Sequence, residues 1–186
     1  MKAESPFTVA GMQQVGIGVR DAAASFTWYR RHFGFDVRIF DDTAEAQLMR
    51  RYTGGEIQRR RAILAVNMAG GGGLEIWLFV NREPQASPIA VSLGDLGIFA
   101  TRLKTSDVKR AFDFLRSAGV HVFSAAPECD PAGVSFFFVR DPHGNIFAVS
   151  EHGSVFDKRR HPIGGVARAG RRGQHARRDL RDRRRP

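Results

Sequence analysis

The chain has 186 residues, of which 42% are hydrophobic and one is cysteine, and it carries a formal charge of +10. That length and apolar content suffice for one ordinary packed domain or two small modules, and a lone cysteine excludes an intramolecular disulfide. No apolar run is long enough to cross a bilayer, and MKAESPFTVAGMQQ at the N-terminus lacks the apolar run of a signal peptide, so the expectation is a soluble, cytoplasmic protein. The charge is uneven. Residues 157–186 hold twelve Lys or Arg against three Asp, a net of +9, which leaves 17 basic and 16 acidic residues before them. This Arg-rich tail has few large apolar residues and is expected to be disordered. It allows weak, salt-sensitive contact with nucleic acid or an anionic surface, but no aromatic residue is interleaved to stack on bases.

The first element is QQVGIGV, residues 13–19, where Val15, Ile17 and Val19 alternate with Gln14, Gly16 and Gly18, the pattern of a strand with one buried face. A helix follows, with Asp21 as N-cap, an apolar stripe of Ala22, Phe26, Tyr29 and Phe33, and Gly34 as the left-handed stop. Strands are then predicted at FDVRIF from Phe35, RAILAVNM from Arg61 and LEIWLFV from Leu74. Between the first two of these lies an insertion, residues 41–61, in which Thr43 to Arg51 is suited to a short helix. Its arginines, Arg50, Arg51, Arg59, Arg60 and Arg61, form either a solvated edge or an anion clamp at a pocket mouth.

After the Pro-containing NREPQASPIAVSL the order repeats: IFATRL from Ile98, a helix from Ser106 with stripe Val108, Ala111, Phe112 and Leu115 ending at Gly119, then VHVFSA, VSFFFV and, after the turn DPHGN, IFAVSE. A tandem βαβββ unit is a stronger signal than any single motif, because one unit alone leaves a sheet face uncovered. The predicted organisation is a single domain over residues 1–156, with one module at about 11–82, a linker at about 83–94 and a second module at about 95–155.

QVGIGVRD with its aromatic helix ending in HFGF, together with GGLEIW and DPHGNIFAVSE, resembles the vicinal oxygen chelate superfamily, which includes glyoxalase I, the bleomycin-resistance proteins and the extradiol dioxygenases. The likeness runs over nearly all of residues 11–155 and has no counterpart for the tail. It implies an α+β, glyoxalase-like fold in which two βαβββ modules curl their mixed sheets into a cup. The cup closes within one chain or by exchange between two, so a homodimer is an open expectation.

In the family's metal enzymes, side chains from the first and last strand of each module hold a divalent ion. Carried over, these positions fall on Gln14 and Glu75 in the first module, both able to ligate. In the second module they fall on Ile98, or on Phe99 after a slip of one residue, and on Ala148, none of which can. Two protein ligands would hold a divalent ion weakly, so no tightly bound metal is expected. The alternative for Glu75 is a hydrogen bond from the Gln14 amide and acid–base work, or simply a satisfied polar place in the fold. Alternation places Trp77 and Phe79 on the same face as Glu75, with Gly16 and Gly18 leaving room beside them, and Arg102 on the face of Ile98.

The leading expectation is therefore a protein that binds a small organic ligand in an aromatic-walled cup, with Gln14, Glu75, Trp77, Phe79, Ile98, Arg102 and Ala148 around it and Glu75 as the acid–base candidate. The alternative is a divalent-metal-dependent lyase, isomerase or dioxygenase. A third reading makes the basic tail the working part of an interaction protein.

Overall fold

Residues 13–69, 72–85, 88–90, 92–95 and 100–152 are described by a computed structural model of the chain. Ile98, Phe99 and the tail over residues 157–186 lie outside them.

Strand β1 (Gln14–Gly18) leads into helix α1 (Ala22–Phe33), whose first turn is closed by the Asp21 carboxylate accepting from the Ala23 and Ala24 amides. Gly34 ends the helix at φ 70°, where a side chain would be strained, and its N–H returns to the Tyr29 carbonyl. Three strands follow, β2 (Val37–Glu45), β3 (Arg59–Asn67) and β4 (Gly72–Phe79), and the sheet order is β1-β4-β3-β2. β1 lies parallel to β4, and the other two pairings are antiparallel.

The second module retraces this path. β5 (Ala100–Thr105) precedes α2 (Val108–Ser117), whose N-cap Asp107 accepts from the Arg110 amide. β8 (Ser135–Arg140) and β9 (Ile146–Glu151) then take the places of β3 and β4, with β5 parallel to β9 and β9 antiparallel to β8. Of the strand expected at VHVFSA only β6 (His121–Val122) forms, and a further short strand, β7 (Glu128–Cys129), follows beyond that stretch; both pair with β8. Pro127 cannot donate to a ladder, which accounts for a break just before Glu128.

The helix suggested for Thr43 to Arg51 is corrected. β2 runs on to Glu45, and only Gln47–Tyr52 is helical, as a 3-10 turn. Asp41 and Asp42 pair across β2–β3 with Arg61 and Arg60, so cross-strand ion pairs accompany the extended form of this segment.

One apolar core joins both modules. Ile17, Val19, Leu74 and Ile76 from the first sheet cluster with Phe137, Val139, Phe147 and Val149 from the second, together with Tyr29 of α1 and Phe112 and Leu115 of α2. The Phe33 and Phe147 rings are 4.9 Å apart, so α1 packs against the last strand of the other module.

A polar strap reinforces that contact. Asp141 is buried in the DPHGN turn and accepts from the Tyr29 hydroxyl, from the His143 and Asn145 amides (both 2.8 Å) and from Asn145 Nδ2 (2.7 Å). Burial, and then the charge of Asp141, push the Tyr29 hydroxyl well above the ordinary tyrosine range, so it remains a donor at neutral pH.

Candidate functional site

Alternation along β1 and β4 splits each strand into two faces. Ile17, Leu74 and Ile76 enter the core, while Gln14, Gly16 and Gly18 lie beside Gly73, Glu75, Trp77 and Phe79 on the other face. Gln14 Nε2 donates to Glu75 Oε2 at 2.9 Å, so the pair inferred from sequence is in contact. Trp77 lies over Gly16, where an added Cβ would stand 3.7 Å from the indole Nε1. Its ring meets Phe79 edge-on at 5.2 Å and 87°.

The strand pairing revises the equivalences in the second module. Glu75 lies opposite Gly16, two residues after Gln14, whereas Ala148 lies opposite Arg102, two residues after Ala100. Ala100 is therefore the structural twin of Gln14, in place of Ile98, which falls outside the described residues. The N-caps agree, since Asp21 and Asp107 follow Gln14 and Ala100 at equal distance.

A divalent ion of the family type would need donors from both modules. The described positions offer an amide and one carboxylate from the first and only methyl groups from the second, Ala100 and Ala148. Among the described residues no three His, Cys, Asp or Glu come together as a group able to hold a metal. The residues do not fit that ion.

A cavity of about 810 Å³ opens beside the far end of this face. The ends of β1 and β4 supply Gly18, Trp77 and Phe79, the 3-10 turn supplies Met49 and Tyr52, and the segment just after β4 contributes Arg82. The DPHGN turn of the second module closes another side with His143 and Asn145. Such a volume suits a small organic ligand. Trp77 and Phe79 border the cavity, but Gln14 and Glu75 do not and stand further back on the same sheet face. Arg102 is exposed away from the cavity, and Ala148 is only 5% exposed, so the structure brings neither into it.

The arginines singled out in the insertion also lie elsewhere. Arg60 pairs with Asp42 at 2.8 Å, Arg61 with Asp41 at 2.9 Å, and Arg50 Nε donates to the Gly55 carbonyl at 2.7 Å. Arg61 holds Asp41 below the usual carboxylate range through a side-chain hydrogen bond. The arginines that border the cavity are Arg20, Arg82 and Arg140, which sequence reasoning missed. Arg20 and Arg82 flank predicted elements without belonging to their periodic patterns, so only the chain path brings them together.

His143 is exposed but engaged. Ser25 Oγ gives its proton to the Asp21 carbonyl at 2.5 Å, so the His143 Nε2 lying 2.8 Å away must act as the donor to it. Glu151 accepts from the Val108 amide at 3.3 Å, and Cys129 is exposed on β7. No helix among the described residues is long and apolar enough to cross a membrane.

Comparison with known structures gives the same architecture. A glyoxalase family protein from Bacillus cereus superposes with a TM-score of 0.62 at 16% identity, over 80% of this chain and 98% of that one. One from Enterococcus faecalis gives 0.52 at 19% identity, over 76% and 97%. No curated protein sequence matches significantly. The family model for the Glyoxalase/Bleomycin resistance protein/Dioxygenase superfamily matches residues 11–149. With the tandem βαβββ order, the paired parallel edges and this match over most of its length, the chain belongs to that superfamily.

Proposed function

We propose that this protein binds a small organic molecule in the cavity bordered by Trp77 and Phe79, without a tightly held family-type metal ion. The observation that carries this reading is the pair of crossed aromatic rings at the mouth of an 810 Å³ cavity built from both modules. Aromatic walls with a few polar groups between them are the usual make-up of a small-molecule site. Glu75, held by Gln14, stands two residues up β4 from Trp77, about 7 Å along the strand. It is the acid–base candidate for a ligand that extends along this face.

Thermal melts against a broad metabolite panel test this. At least one compound should raise the melting temperature, the shift should survive chelator, and Trp77→Ala should abolish it. A panel in which nothing shifts the folded protein overturns the reading.

The alternative reading, a divalent-metal-dependent lyase, isomerase or dioxygenase, would need Gln14 and Glu75 to be joined by donors from outside the described residues. Near-stoichiometric divalent metal in protein purified without chelator, lost in Glu75→Ala, would put that reading first.

A further inference from the structure

The cations around the cavity set its ligand class. Arg20, Arg82 and Arg140 border it, and among the described residues no Asp or Glu does. Three arginines facing one apolar space without a carboxylate produce a positive potential that low-dielectric walls concentrate.

Their engagements differ. Arg140 lies 4.9 Å from the Phe123 ring centre and is held to that side. Arg82 stands 5.6 Å from the Phe79 ring centre, which sets a guanidinium beside an aromatic wall. Among the described residues, neither Arg20 nor Arg82 pairs with a carboxylate. This is unlike Arg38, Arg60 and Arg61 on the β2–β3 strands, each of which pairs with Asp41 or Asp42. The carboxylates nearest in sequence are otherwise placed. Asp21 accepts from the Ala23 and Ala24 amides, and Glu83 does not border the cavity.

We infer that the cavity takes an aromatic carboxylate, its flat body against Trp77 and Phe79 and its carboxylate met by Arg82 and Arg20. The planar fork of a guanidinium matches a carboxylate in shape as well as charge. This inference rests on the binding reading above and adds the charge of the ligand. Both arginines are exposed, so solvent screens them and the gain from charge is moderate.

The test uses a matched pair of probes, naphthalene-2-carboxylate and naphthalene-2-carboxamide, titrated calorimetrically into the full chain at physiological ionic strength. The acid should bind about tenfold more tightly than the amide. Arg82→Gln and Arg20→Gln should each reduce that preference several-fold, and the double variant should remove it. Trp77→Ala should weaken both compounds alike. Equal binding of acid and amide, lost in Trp77→Ala, overturns the inference but leaves the binding reading intact. A preference for the acid that persists in the double variant assigns it to other basic groups of the chain and also overturns the inference. If neither probe binds and no panel compound shifts the melt, both readings fall.

Discussion

In the first module the outer face of β4 leaves Glu75, Trp77 and Phe79 half-buried beside the bare backbone of Gly16 and Gly18. In the second, the corresponding face of β9 buries Ile146, Ala148 and Ser150, and Arg102 and Lys104 stand where the glycines were. The inner faces do not diverge in this way. Ile17 and Ile76 in one copy, and Phe147 and Val149 in the other, meet in a single core. A duplicated unit must keep the face that packs against its own helix, since that burial drives folding, whereas the opposite face is free to differ. β9 is covered on both sides, and β4 keeps one side for other work.

The largest effect should come from cutting the strap between the copies. Asp141→Ala strands the Tyr29 hydroxyl and two backbone amides of the turn, and should cost roughly 3–5 kcal/mol in denaturant unfolding. A loss below about 1 kcal/mol would mean that the apolar contact of α1 with β9 suffices without it.

The contrast between the two outer faces can be inverted by exchange. Ala148→Glu forces a carboxyl into a covered site and should cost about 3 kcal/mol, while Glu75→Ala should cost less than about 1 kcal/mol. Equal costs would abolish the asymmetry. A stable Ala148→Glu chain that acquires a divalent ion would show that the second module lacks only the donor, and not the room.

The smallest effect concerns acid stability at the β2–β3 edge. Asp41 has a lowered folded-state pKa, so its contribution is present above the ordinary carboxylate value of about 4 and is lost as the pH falls through the folded value. Asp41→Asn should therefore reduce stability near about pH 6 by less than about 1 kcal/mol and make no difference at the acid end of this window. Urea midpoints for both chains across that range check the sign, and a difference that grows in acid would contradict it.

Much of the fold was legible because its signals are local. The alternation of Val15, Ile17 and Val19, the Asp21 and Asp107 caps and the Gly34 stop each depend on neighbours within one turn or strand. The contact of Gln14 with Glu75 was also within reach, because the repeat pairs the first strand of a module with its last. Two other readings failed for physical reasons. The insertion was read as holding a short helix over Thr43 to Arg51, with its arginines forming either a solvated edge or an anion clamp, but cross-strand pairs with Asp41 and Asp42 hold Arg60 and Arg61 in extended chain. Counting placed the twin of Gln14 at Ile98, but hydrogen-bond register, which periodicity leaves free by two residues, puts Ala100 there.

The sequence by itself determined the repeat and the inner faces, since periodicity is a property of the chain. Only the tertiary structure decided which residues border the cavity. Arg20, Tyr52, Arg82 and His143 come from four separate segments, and no local pattern records the packing of one module's turn against the other's strand ends.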